Sequence, residues 1–219
     1  MKKVHLVLGA EIESDEPLAL RDYCEGDITV GADRGALALL RSDYPLHLAV
    51  GDFDSVTNEE WLAIAERATE VIKVPAEKDF TDGELALKTI GERKDESTPI
   101  FIYHWQTSGR LDHFLSILWW CYQPDFQSFI EDCHFVSGKN EMQFLLPGTH
   151  NVPNRADFQY ISIIQMTPVK QLAIRGLKYE LPAQDINYPR AWISNEPLIG
   201  DGELSFEEGI LLLMYTKDE

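Results

Sequence analysis

The chain runs to 219 residues, enough to bury a sizeable core as one large domain or two small ones. Apolar residues make up 44% and charged residues 26%, an ordinary globular balance that excludes wholesale disorder. With 19 Lys+Arg against 37 Asp+Glu the net charge is −18, and a surface so negative repels phosphodiester backbones and anionic lipid, so no partnership with nucleic acid or membrane is expected.

In chain order, MKKVHLVLG reads as a first strand whose apolar run is too short for a secretory signal, and no later stretch approaches a membrane span. A cytoplasmic protein is the expectation. Cys24, Cys121 and Cys133 are widely spaced without a CxxC, which indicates neither a disulfide framework nor a zinc knuckle. PLALRDYC (17–24) reads as a helix, DITVGAD (27–33) as a strand entering a loop, and RGALALLRSD (34–43) as a helix with Leu37, Leu40 and the alanines on one side. LHLAVGDFDS is the next strand and loop, EEWLAIAERA a helix, TEVIKVPA a strand. Thr81 and Glu84 have capping-box spacing and open the helix GELALKTIGERK. PIFIYHW is a further strand and HFLSILWWCY a further helix. Strands separated by helices of this length imply parallel pairing, hence an open, mostly parallel α/β sheet.

Beyond about residue 135 the pattern changes to short period-two runs bounded by Gly, Pro and Asn, such as FQYISIIQMT, KQLAIRGLKYEL and RAWISNEPL. The expected architecture is an α/β domain over 1–138 followed by an all-β sandwich over 139–219, with the seam inside 133–150.

Ligands of an open parallel sheet bind outside the carboxyl ends of its strands. Polar residues fall there in series: Asp33 after DITVGA, Asp52 and Asp54 after LHLAVG, Lys78, Asp79 and Asp82 after TEVIKVPA, and Arg110, Asp112 and His113 after PIFIYHW. Asp52 and Asp54, spaced i, i+2, would point the same way in extended chain, and with Asp82 they would make a hard-oxygen site suited to Mg²⁺. The competing reading of Asp52–Ser55 is a turn plus the N-cap of the following helix, and that of Asp79 and Asp82 is simple complementarity to a helix dipole. Lys78, Arg110 and His113 supply the positive charge that an anionic substrate needs on so acidic a protein. Arg110 can grip phosphate oxygens bidentately, unless it only pairs with Asp112. His5 and His47 lie in strand signals and read as core or edge residues. No GxSxG, Walker lysine, HxH or HExxH is present.

Taken in order, GADRGA (31–36), GDFDSV (51–56), KDFTDGELAL (78–87) and GRLDHFL (109–115), followed by GLKYEL (176–181), ISNE (193–196) and SFEEGILLL (205–213), resemble the thiamine pyrophosphokinase family in its bacterial form. The resemblance implies thiamine diphosphokinase activity: transfer of a pyrophosphoryl group from ATP to the hydroxyl of thiamine, giving thiamine diphosphate and AMP. It implies Mg²⁺ held by Asp52, Asp54 and Asp82, with Asp33, Lys78, Arg110 and His113 about ATP and its phosphates. It implies that Asp79, Arg110 and Asp112 serve the transfer, and that Ser194 and Asn195 meet thiamine in a β domain that also dimerises. A homodimer with shared active sites follows from the same likeness. The chain departs from the family where Trp105–Gly109 replaces a glycine-rich loop, at Ile117, and at Pro197, where an aromatic is common; Trp192 is either a substitute face for thiamine or core. Two alternatives stand beside this reading: another Mg²⁺-dependent nucleotide transferase, such as a DxD glycosyltransferase, and a thiamine- or nucleotide-binding protein with a decayed site.

Overall fold

The computed structural model describes residues 2–9, 18–75, 77, 79–106 and 110–218. The chain divides into two compact units, Met1–Val136 and Ser137–Glu219.

Among the described residues the first unit is built on parallel strands β1 (Val4–Val7), β2 (Ile28–Ala32), β3 (Leu46–Gly51), β4 (Ala68–Lys73), β5 (Ile100–Tyr103) and β6 (Cys133–Val136), in the spatial order β6-β5-β1-β2-β3-β4. From β1 the chain steps one way to β4, then returns to place β5 on the other side of β1. The order therefore reverses between β1 and β5. Helices α1 (Gly35–Arg41), α2 (Asn58–Arg67), α3 (Asp82–Arg93) and α4 (Leu111–Leu118) form the connections around it. Leu6, Val30, Val50, Ile100 and Ile102 are buried, as expected of a parallel sheet buried from both sides. The GADRGA run has a steric reason. A β-carbon on Gly35 would stand 1.9 Å from the Val7 carbonyl oxygen, and one on Gly31 would stand 2.3 Å from the Ala36 Cα. Only glycine lets α1 lie this close to the strands.

Two sequence expectations need correction. Residues 18–24 contain turns and no helix. Their amides are taken by distant side chains: Leu18 N–H donates to Ser42 Oγ, Leu20 N–H to Tyr44 Oη and Arg21 N–H to Tyr103 Oη. Tertiary hydrogen bonds have replaced the helical ladder. The helix expected over 113–122 instead begins at Leu111 and ends at Leu118, after which a 3₁₀ turn runs over Trp120–Tyr122. The tighter bonds Trp119 N–H to Ser116 O and Tyr122 N–H to Trp119 O bury Trp120 while Trp119 stays exposed.

The second unit is antiparallel throughout its described pairings. Strands β7 (Asn140–Leu145), β9 (Tyr160–Gln165), β12 (Ala191–Asn195) and β14 (Leu211–Thr216) lie in the order β12-β9-β14-β7. Strands β8 (Gly148–Val152), β10 (Val169–Arg175), β11 (Leu181–Ile186) and β13 (Gly202–Phe206) lie in the order β11-β10-β13-β8. Their inward residues, including Val152, Ile163, Leu172, Leu204 and Leu211, form one sandwich core, which Leu177 from the β10–β11 connection joins. No helix among the described residues is long and apolar enough to cross a membrane.

Candidate active site

The acids gather at the carboxyl ends of β2 and β3 and at the start of α3. Asp33 follows β2 in a left-handed conformation, φ +51°, and its N–H donates to Val50 O at 2.9 Å, tying the end of β2 to β3. Ser55 Oγ donates to Asp33 Oδ2 at 2.7 Å. The other oxygen, Asp33 Oδ1, is buried with no hydrogen-bond partner among the described residues. One carboxylate oxygen from each of Asp33, Asp52 and Asp82 lies within 4.8 Å of the others. Burial, reinforced by the charges of Asp82, Asp52 and Asp54, holds the Asp33 carboxyl above the usual range against the opposing Ser55 hydrogen bond. Three converging carboxylates with an orphaned oxygen fit a hard divalent cation such as Mg²⁺.

The extended Asp52-Phe53-Asp54 geometry expected from spacing does not occur. Phe53 takes φ +59° and buries its ring 4.9 Å from Trp61, while Asp54 N–H donates back to Asp52 Oδ1 at 3.0 Å. The chain turns at Phe53, so Asp54 stands outside the trio and Asp33, assigned to ATP from the sequence, stands within it. The N-cap alternative also lapses, because the cap of α2 is Thr57, in a capping box with Glu60. The capping box expected at Thr81 is present: Glu84 N–H donates to Thr81 Oγ1 at 3.2 Å and Thr81 N–H to Glu84 Oε2 at 2.9 Å. Gln123 Nε2 donates to Glu84 Oε1 at 2.6 Å, which anchors the turn carrying Asp82.

Asp79 is exposed two residues before that cap. Lys78 and residues 107–109 lie outside the described residues. Arg110 and Asp112 form an exposed fork, Nε to Oδ1 at 3.0 Å and Nη2 to Oδ2 at 2.8 Å, and this hydrogen bonding draws the Asp112 carboxyl down to about 2. His113 lines one cleft with Gly9, Asp33, Asp82, His104 and Trp105. Trp120 lines it too, and the indole N–H groups of both tryptophans are buried without partners among the described residues. His104 is a residue that sequence reasoning passed over. Its only signal is its place, immediately after β5. Burial alone pushes its imidazole down to about 4, so it is neutral at pH 7.

In the second unit the pairing of β12 with β9 slips between Trp192↔Ile163 and Asn195↔Ile161, so one extra residue is accommodated on β12. The slip includes exposed Ser194 at φ +56°, a bulge of the kind that re-aims side chains. Asn195 is buried, and its carboxamide is committed within the unit. Tyr179 N–H and Glu196 N–H donate to its Oδ1 at 3.0 and 2.9 Å, and its Nδ2 donates to Tyr179 O at 2.9 Å. Trp192 packs against the sandwich core with the Arg190 guanidinium 5.3 Å from its ring.

Fold and acids together define an α/β enzyme suited to a metal-associated polyphosphate. Comparison with known proteins makes this specific. Residues 23–131 match the family description "Thiamin pyrophosphokinase, catalytic domain", and residues 149–211 match "Thiamin pyrophosphokinase, vitamin B1 binding domain". The thiamine pyrophosphokinase of Bacillus subtilis (strain 168) is 32% identical over 196 residues, 89% of each chain. Among solved structures, a thiamin pyrophosphokinase family protein from Enterococcus faecalis is similar with a TM-score of 0.89 at 37% identity, over 100% of both chains. The thiamine pyrophosphokinase structure from Bacillus subtilis superposes with a TM-score of 0.83 at 28% identity, again over 100% of both. The chain belongs to the thiamine pyrophosphokinase family.

Proposed function

We propose how this family member carries out its reaction. Its substrates are ATP and thiamine, and its activity is thiamine diphosphokinase: the hydroxyl oxygen of thiamine bonds to the β-phosphorus of ATP, and AMP departs with the bridging oxygen. The alternatives of a glycosyltransferase or a decayed binding protein are not favoured, since the match covers both units in order.

Asp33, Asp52 and Asp82 would hold Mg²⁺, with Asp54 adding to the negative field around Asp33. When bound, the cation supplies charge neutralisation for the triphosphate on a protein of net charge −18. The chain's own residues then position the reactants, which is where most catalysis of phosphoryl transfer lies. Arg110, steered by the Asp112 fork, turns its guanidinium to phosphate oxygens. Lys78 adds a point charge, His113 borders the cleft, and Asp79 stands near the start of α3 beside the transfer. In the second unit, Ser194 on its bulge faces solvent and is the side chain available to thiamine, whereas Asn195 holds that bulge in shape. Two copies of the chain pair as a homodimer whose active sites draw on both subunits.

The convergence of three carboxylates in a chain of this family carries the proposal. Purified protein with ATP, thiamine and Mg²⁺, scored for AMP against ADP, tests it. AMP with thiamine diphosphate is expected, lost on chelation of Mg²⁺ and regained on its return. ADP as product would end the pyrophosphoryl assignment. For the dimer, Asp52→Asn subunits mixed with Ser194→Tyr subunits should recover roughly a quarter of wild-type activity, since about half the dimers are mixed and each has one intact site. No recovery despite subunit exchange would confine each site to one chain.

A further inference from the structure

We infer that His104 is a further substrate-contacting residue, whose imidazole accepts a hydrogen bond from the thiamine hydroxyl and aims that oxygen at the phosphate. The inference rests on the function proposed above and adds to it a residue that the family likeness did not assign.

Topology makes the first case. In an open α/β sheet, the crevice for ligands opens where the strand order reverses, here between β1 and β5. Gly9 lies just beyond β1 and Asp33 just beyond β2, while His104 is the first residue beyond β5; all three line one cleft. The acid trio occupies the β2–β3 side of that crevice. His104 stands on the β5 side.

Backbone geometry makes the second. His104 has φ +56°, a left-handed conformation that strains a residue with a side chain and persists where its neighbours enforce it. Both neighbours are fixed. Tyr103 is buried, with Arg21 N–H donating to its hydroxyl at 2.9 Å and His5 Nδ1 3.0 Å from the same oxygen. Leu8 N–H donates to Tyr103 O at 3.0 Å, which continues the β1–β5 pairing to the residue before His104. Trp105 is buried with ring centroids 5.9 Å from Phe114 and 6.1 Å from Phe135. The chain is thus clamped on either side of a strained residue whose ring has no hydrogen-bond partner among the described residues.

Chemistry makes the third. The reacting hydroxyl is a donor and needs an acceptor; phosphate oxygens need donors. Asp33 and Asp82 are gathered into the acid trio, Asp112 is held in the Arg110 fork, and Asp79 is exposed and does not line the cleft that His104 lines. A further carboxylate would repel the incoming triphosphate. The uncharged imidazole of His104 accepts a hydrogen bond without that repulsion.

The test uses His104→Gly, which removes the ring and accommodates the positive φ, and His104→Asn, which keeps a small acceptor compatible with the same backbone. Expected for His104→Gly are an unchanged melting temperature, an unchanged KM for ATP, a kcat lowered about 10²-fold and partial recovery with added imidazole. His104→Asn should retain more activity than His104→Gly. Thiamine should bind His104→Gly more weakly than wild type, while an analogue with hydrogen in place of the hydroxyl should bind both alike. A kcat within about twofold of wild type, or a loss that neither imidazole nor asparagine relieves, overturns the proposal. So does a deoxy analogue that weakens as much as thiamine. A wild-type protein that makes no AMP from ATP and thiamine would instead defeat the function on which this inference rests.

Discussion

Two polar residues, one in each unit, are treated in opposite ways. In the first, Asp33 is crowded by like charges, keeps one oxygen without a described partner, and sits at φ +51°. In the second, Asn195 is the more fully enclosed of the two, yet both ends of its carboxamide are bonded to nearby backbone. An unsatisfied buried group costs the fold free energy and needs a reason, which at Asp33 is the convergence of two further carboxylates; a satisfied one such as Asn195 holds structure. Family position alone would assign Asp33 and Asn195 similar importance. Their surroundings separate them.

The largest effect that can break this contrast is Asp52→Asn. Turnover should fall by at least about 10²-fold, while the melting temperature stays level or rises, because one of three repelling charges is gone. A fall in melting temperature with activity retained would move Asp52 from the site to the scaffold. Asn195→Ala should do the reverse. It strands the Tyr179 and Glu196 amides, so urea unfolding should register a loss of about 1–3 kcal/mol. Unchanged stability with lost thiamine affinity would make Asn195 a ligand-binding residue after all.

The units should also part company in acid. In the first unit, burial lowers the pKa of His5, His47, His104 and His134 below 6.5. Each is held neutral when folded, so below pH 6.5 the unfolded chain takes up protons first. The stability they lend is present above 6.5 and is lost as the pH falls towards the lowered values, by at most about 1.4 kcal/mol per pH unit for each. Hydrogen exchange at pH 5 against pH 7 should show β1, β2 and β5 opening more readily in acid, with β9 and β14 little changed. His5→Asn should flatten the dependence; an equal response in both units would refute it. The smallest effect belongs to Asp112→Asn, whose exposed fork with Arg110 should leave the melting temperature unchanged while lowering turnover. A clear drop in melting temperature would make that pair structural.

What the sequence disclosed follows the range of the forces involved. The Thr81–Glu84 cap, the GADRGA packing and the strand-helix alternation are set within a few residues, and local pattern exposes them. Residues 18–24 were illegible because Ser42, Tyr44 and Tyr103, distant in the chain, claim their amides. The convergence of Asp33 with Asp52 and Asp82 was hidden for a like reason. Spacing pairs Asp52 with Asp54, but burial of Phe53 against Trp61 turns the chain and brings in Asp33 from another strand. His104 carries no motif, and only the fold shows that it stands across the crevice from the acids.

Trp105 and Trp120, buried at the cleft wall with indole N–H groups that have no partner among the described residues, give this protein an optical readout of its own occupancy. Indole emission responds to nearby charge and to hydrogen bonding, so a triphosphate or a thiazolium arriving beside these rings changes the fluorescence of the native chain. Trp119, 57% exposed and one residue from Trp120, is the natural position to silence with Trp119→Phe so that the buried pair dominates the signal. Stopped-flow mixing can then time the arrival of each substrate separately, without dye or label, and establish which of the two enters first.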